Sequence, residues 1–326
     1  SRAKQESALE NIIGFKSVSE IAEYLEDTHM STNCIGLEMD VLPAGAYLRL
    51  CSLFHGAVFT DISPFIRQQR SVKSELEISF LETAGEKMDL VFGRLRDEIK
   101  PGISEYQVYI KLTQFLLEQG SSLFIRSRRF NMEVSSKYIL SGENASRHSS
   151  MDSPSGGGEG ISTAHPGGAG YKKLRTGEPV LIDGVFNYQG YSVDCTRVFA
   201  LGELEKQFMQ AHQVSMDCHR MFREIGVEGT WIPEIYTRIH DYVNESGFAN
   251  QFMGGVKFIG HGVGLELDEL PIISEKFEQH LQEGMVISLE PKFVFPHGSV
   301  GYETTYCIKS GRPSPFNKAD EQIQFV

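Results

Sequence analysis

Four acidic side chains interrupt runs that otherwise suit the interior of a β-sheet, and that conflict restricts the fold more than any other feature of the chain. Asp183 ends Val180-Leu181-Ile182-Asp183, Asp194 sits in Tyr191-Ser192-Val193-Asp194-Cys195, Glu290 closes Met285-Val286-Ile287-Ser288-Leu289-Glu290, and Glu303 lies in Tyr302-Glu303-Thr304-Thr305. A carboxylate in such surroundings costs several kcal/mol unless it is paired or bound to a cation. Each of the four therefore needs either a salt-bridge partner of its own or a shared positive centre.

The pattern around them predicts an α+β protein in two parts. Residues 1–70 read as a small α/β unit, with helical stretches near Ile21–Leu25 and Tyr47–Leu53 and short apolar runs at Cys34–Leu37 and Ala57–Phe59. Residues 71–326 open with Leu76, Ile78, Leu81, Ala84, Met88 and Leu90 on one helical face. Ser104 with Gln107 forms a capping-box signature, and the helix it starts stops at Gly120. The Gly- and Ser-rich stretch from Ser141 to Gly170, with Ser153-Pro154-Ser155-Gly156-Gly157-Gly158, reads as a functional loop. Two β-runs, Pro179–Phe186 and Tyr191–Ala200, meet at the turn Asn187-Tyr188-Gln189-Gly190. Helices are expected over Leu204–Ile225 and Pro233–Asn244, then strands over Phe258–Leu267, Met285–Phe295 and Val300–Ile308, with a helix capped by Ser274 between them. Two helix pairs, each followed by strands, suggest a duplicated domain without a residue-level repeat.

Net charge is −12, with 31 basic against 43 acidic residues and no long run of either sign, which disfavours a nucleic-acid partner. Five scattered cysteines without a C-x-x-C pair fit a reducing compartment, and the expected location is the cytoplasm. No apolar stretch approaches the ~20 residues of a membrane span, and Ser1–Ile13 lacks the apolar centre of a signal peptide. Because the first residue is Ser rather than Met, the natural chain is expected to continue upstream.

Asp183 and Asp194, on adjacent runs, are expected to face each other across the hairpin, where like charges are tolerated only with a proton or a cation between them. The plainer alternative has Asp183 capping a turn through Gly184 while Asp194 pairs with Arg197. In Gly260-His261-Gly262-Val263-Gly264, the glycines clear the approach to the imidazole. Oxygen donors with a single nitrogen suit Mn, Fe, Co or Zn, in pairs about 3.5 Å apart.

In joint order and spacing, these segments resemble the metallopeptidase family of methionine aminopeptidase, aminopeptidase P and prolidase, whose fold is called pita-bread. The resemblance spans nearly the whole chain. Residues 1–70, including Ile35-Gly36-Leu37-Glu38, are similar to the latter part of the smaller N-terminal domain in the creatinase-like arrangement. It implies a catalytic domain at 71–326 holding two divalent metal ions (Mn, Co, Zn or Fe), with Asp183 on one, His261 and Glu290 on the other, and Asp194 and Glu303 bridging both. It further implies that a bridging hydroxide attacks the carbonyl of a short Xaa-Pro peptide, with Glu290 as proton shuttle, in a homodimer.

The departures from the family fall around these ligands. Where the family carries a second histidine seven residues after His261, this chain has Asp268; four residues before it stands Lys257; and Gly301 replaces an arginine two residues before Glu303. Lys257 and Asp268 thus become candidate substrate-binding groups. A further catalytic histidine is expected from the loop, with His165 favoured over His148, the latter a candidate for substrate contact. An anion at Asp268 near Lys257 leaves open a second reading, a C–N hydrolase or lyase of the same fold acting on a small zwitterion.

Overall fold

The computed structural model describes every residue of the chain except 130, 131, 133, 149, 150, 152 and 156. It separates into two units, Ser1–Ile66 and Arg67–Val326. In the first, helices α1 (Arg2–Glu6), α2 (Val18–Asp27) and α3 (Ala44–Leu53) accompany two parallel strands, β1 (Cys34–Leu37) and β2 (Val58–Asp61). Ser17 starts α2 by accepting a hydrogen bond from the Ser19 amide. No hydrophobic side chain of this unit is buried.

The division falls in α4 (Ser63–Ser71). Beyond it, α5 (Glu75–Leu95) and α6 (Glu105–Glu118) each begin with a reciprocal capping box, Ser74 with Glu77 and Ser104 with Gln107, which satisfies amide groups that the first helical turn leaves unpaired. Their apolar faces, Leu81, Met88, Val91 and Phe92 on α5 and Val108, Leu112 and Phe115 on α6, pack with the inner face of a four-stranded sheet. That sheet contains β3 (Lys137–Ser141), β4 (Pro179–Tyr188) and β5 (Tyr191–Ala200), and its fourth strand is the C-terminal one.

A second helix pair, α7 (Lys206–Ile225) and α8 (Ile232–Glu245), shares a separate core with Ile259, Ile287, Leu289, Phe293 and Tyr306. These last residues belong to or border β6 (Gly260–Gly262), β7 (Glu269–Ile272), β8 (Val286–Leu289), β9 (Lys292–Phe295), β10 (Gly298–Gly301), β11 (Thr304–Cys307), β12 (Ser314–Pro315) and β13 (Gln324–Phe325). Strands β12-β11-β8-β6-β7 form a five-stranded sheet, β9 and β10 pair separately, and β13 lies beside β5.

Three expectations give way here, the first being the strand over Phe258–Leu267, of which only β6 (Gly260–Gly262) forms. The helix after Ser274 does not form, because Gln279 and His280 are drawn into backbone pairing with Ile232 and Trp231. The long runs Met285–Phe295 and Val300–Ile308 are each two strands, broken at Glu290-Pro291 and at Tyr302-Glu303, where the chain passes from the five-stranded sheet to the β9–β10 pair or back. Proline cannot donate to a ladder, so a break at Pro291 follows from its chemistry. Both glutamates therefore sit at corners between sheets.

Candidate metal centre

The hairpin positions the two aspartates. Gln189 and Gly190 both have positive φ, 52° and 89°, the two-residue turn whose twist matches antiparallel strands. It pairs Tyr188 with Tyr191 and so aligns Asp183 with Thr196 and Asp194 with Val185. The carboxylates share a face, as expected, but lie diagonally rather than directly opposite, because the tight turn fixes the register two residues away from the facing one. The other face belongs to the core: a Cβ at Gly184 would meet Met88 Cε at 2.8 Å.

Glu303 reaches the same face from its corner. Its Oε1 accepts from Ser288 Oγ at 2.9 Å and its Oε2 from Thr196 Oγ1 at 2.7 Å, while its backbone pairs with Thr196. The alternative partner for Asp194 is otherwise engaged, since the fully buried Arg197 donates to the carbonyls of Thr196, Glu303 and Ala319. Thr305 pins the Asp194 backbone, accepting from its amide at 3.0 Å and donating to its carbonyl at 2.9 Å.

His261 enters from β6. Its Nδ1 lies 3.1 Å from the Gly262 carbonyl, and donation there assigns the lone pair to Nε2. Nε2 is 4.0 Å from Asp194 Oδ2 and 3.9 Å from Glu290 Oε1, too long for hydrogen bonds. It is the spacing of two donors on either side of one ion, since zinc-type ions sit about 2.0–2.2 Å from nitrogen and carboxylate oxygen. Ligand atoms of Asp194, His261 and Glu303 all lie within 4.8 Å of one another, and Asp194 Oδ1 is buried with no hydrogen-bond partner among the described residues. One imidazole with carboxylate oxygens thus fits one divalent ion of the Mn, Fe, Co or Zn kind.

The remaining space holds a group that the sequence reading passed over. Lys292, with a side chain 0% exposed, places Nζ 3.0 Å from Asp183 Oδ2, 2.9 Å from Glu290 Oε2 and 2.6 Å from Glu303 Oε2. Ser155 Oγ lies 3.1 Å from the same nitrogen and donates to Asp183 Oδ2. A buried lysine between Pro291 and Phe293-Val294-Phe295 carries the same sequence signal as the buried glutamates, a charge in an apolar strand. Ser155 had no comparable signal beyond its place in the long loop; Gly156 of that run lies outside the described residues.

Burial opposes the charge on Lys292, but the carboxylates around it prevail and hold its pKa well above the ordinary lysine value. Burial, then repulsion from Glu303 and Asp183, pushes Asp194 well above the usual carboxylate range. Glu290 is pushed by burial up to about 7, against the pull of Lys292. Burial also works against a charged His261, yet Asp268, Glu290 and Glu303 raise it above the ordinary histidine value. These directions describe a carboxylate cluster short of positive charge.

Other expected groups lie apart. His165 and His148 are both exposed, and among the described residues neither hydrogen-bonds to the cluster; the loop delivers Ser155 there instead. Asp268, 56% exposed, has Oδ1 3.7 Å from His261 Nδ1 and so borders the site from the solvent side. Lys257 is exposed, with no hydrogen bond to the carboxylates among the described residues. Gly301 pairs across the ladder with Lys292, and a Cβ there would meet Lys292 Cα at 2.7 Å and Cγ at 2.9 Å.

The carboxylate and imidazole cluster lies at the junction of two sheets, each backed by a helix pair. In comparison with known proteins, residues 79–310 match the model of metallopeptidase family M24 and residues 1–72 that of the creatinase/prolidase N-terminal domain, so the chain belongs to metallopeptidase family M24. An Xaa-Pro dipeptidase of Pyrococcus horikoshii is 27% identical over 322 residues, 98% of this chain and 82% of the relative. The crystal structure of the prolidase from Pyrococcus horikoshii superposes with a TM-score of 0.81 at 26% identity, covering 98% of this chain and 82% of that one. An X-Pro aminopeptidase from Thermotoga maritima shares the fold with a TM-score of 0.83 at 22% identity, covering 100% of this chain and 84% of that one. Among the described residues, no helix is long and apolar enough to cross a membrane.

Proposed function

We propose that this metallopeptidase cleaves short peptides at Xaa-Pro bonds, in the manner of a dipeptidase or aminopeptidase P, using a divalent ion bound by Asp194, His261, Glu290 and Glu303. The observation that carries the reading is the gap of about 4 Å between His261 Nε2 and the carboxylates of Asp194 and Glu290, with an orphaned oxygen beside it. The activity named for the Pyrococcus relatives, matched over nearly the whole chain, supports the substrate class. When bound, such an ion polarises a carbonyl and lowers the pKa of water.

The protein's own groups do the rest. The bond from His261 Nδ1 to Gly262 keeps Nε2 directed at the ion site. Glu290, with Oε1 on the His261 side of the site and Oε2 on Lys292, is placed to pass a proton to a departing amine. Thr196 and Ser288 fix the Glu303 carboxylate by donating to one oxygen each. Asp268 at the exposed edge of His261 offers an anion to a substrate ammonium, the observation that favours a small zwitterion as the second reading. The reading extends to a cytoplasmic homodimer; five cysteines without a disulfide fit the first of these.

The test is a panel of Xaa-Pro dipeptides, Xaa-Pro tripeptides and proline-free dipeptides, assayed by amine release with Mn(II) or Co(II). Cleavage of Xaa-Pro bonds, abolished by Asp194→Ala, is expected. No turnover of any peptide, with consumption of a small zwitterion instead, would replace the proposal by the second reading.

A further inference from the structure

We propose that the Lys292 ammonium stands in for one of the two cations of a dinuclear site, so that this chain binds a single divalent ion, on Asp194, His261, Glu290 and Glu303. An ammonium has three protons to donate, and Lys292 Nζ has four acceptors within 3.1 Å: Asp183, Glu290, Glu303 and Ser155. Its side chain has no exposed surface, so this is a built contact rather than a surface lysine folded inward.

The backbone has been shaped for it. Lys292 faces Gly301 across the β9–β10 pair, and any Cβ at 301 would collide with the lysine's Cα and Cγ. Gly301 also has φ of 155°, outside the range that side chains favour. Position 301 is thus clear of the side chain that would contest the stem of Lys292. Ser155 completes the arrangement from the loop, donating to Asp183 while accepting from Lys292.

The donors then divide in two. Asp183 Oδ2, Glu290 Oε2 and Glu303 Oε2 face the ammonium, whereas Asp194 Oδ2 and Glu290 Oε1 lie 4.0 and 3.9 Å from His261 Nε2 on the other side. Charge supports the same division. A second ion would have to sit beside the ammonium, against steep repulsion. One ion and one ammonium leave a single negative charge, which a substrate ammonium or an added proton can meet.

The inference rests on the metal-dependent reading but not on its substrate. To test it, the full chain is stripped with chelator, reloaded with excess Mn(II), desalted and measured by plasma emission. Wild type is expected to hold about one ion per chain and Lys292→Gly about two, a twofold rise, with folding checked by circular dichroism. Should Lys292→Gly not fold, electron paramagnetic resonance of Mn(II)-loaded wild type decides alone: an isolated-ion spectrum is expected, and an exchange-coupled pair overturns the proposal. Wild type holding none or two overturns it, as does a folded Lys292→Gly that still holds one. The peptide reading fails separately, by absence of cleavage in protein with its ion bound.

Discussion

Glu105 is the side chain whose replacement should unsettle the site from a distance. It is fully buried in the first turn of α6. Oε1 accepts from the amide and hydroxyl of Ser141, both at 2.7 Å, and Oε2 from Asn144 Nδ2 at 2.6 Å and the Gly170 amide at 3.2 Å. It thereby ties down both ends of the loop that carries Ser155 to Asp183. In Glu105→Gln the remaining oxygen can keep Ser141, and Asn144 can turn its Oδ1, which has no partner among the described residues, toward the new amide. The Gly170 amide cannot be served, and an orphaned buried donor costs about 1–3 kcal/mol. The two bonds to Ser141 also lose their charge assistance, roughly 1 kcal/mol each. Burial raises the Glu105 pKa, so removing the charge returns part of this. The net expectation is about 2–4 kcal/mol of destabilisation, or a fall in Tm of roughly 4–8 °C at ~2 °C per kcal/mol for a unit of this size. Urea denaturation of both proteins at neutral pH measures it. A Glu105→Gln variant within ~0.5 kcal/mol of wild type, at unchanged m, would refute the reasoning.

Two further outcomes follow from buried titratable groups. Burial lowers His212 to about 4 and His219 to about 3, so both stay neutral in the folded chain at pH values where the unfolded chain binds protons, and stability is lost as pH falls below the unfolded value of 6.5. Between about pH 7.5 and about pH 5.5, wild type should lose roughly 1 kcal/mol relative to His212→Gln, measured by urea titration at both values; parallel losses would contradict it. Asp194 behaves oppositely in metal-free protein. Its raised pKa means that its contribution is present at low pH and lost as pH rises through the folded value. Asp194→Asn should therefore raise the Tm in chelator at neutral pH, yet gain nothing from added Mn(II); a lower Tm in chelator would show that the carboxylate is not strained.

The elements whose side-chain period is strong were legible before any coordinates. Capping boxes at Ser74 and Ser104 start helices because they close local hydrogen bonds, and local chemistry is what a sequence states directly. The grouping of Asp183, Asp194, Glu290, Glu303 and His261 was legible for a different reason, the cost of isolated buried charge. Register and corners were less so. The diagonal placing of Asp183 and Asp194 depends on φ at Gln189 and Gly190, and the broken strands at Glu290 and Glu303 on two sheets meeting. Lys292 carried a readable signal but lay between stronger ones, and Ser155 reaches the site only through the path of a loop held by Glu105. His165, whose distance along the chain matches a catalytic role, is exposed, and among the described residues it makes no hydrogen bond to the cluster.

Peptide cleavage at this site should require a divalent ion held by Asp194, His261, Glu290 and Glu303. Hydrolysis of an Xaa-Pro dipeptide by wild type and His261→Ala, before chelation, after it and after return of Mn(II), tests that most directly. Activity lost with chelator and restored by Mn(II) in wild type alone is the predicted result. Cleavage that survives chelation, or returns equally in His261→Ala, would contradict the account.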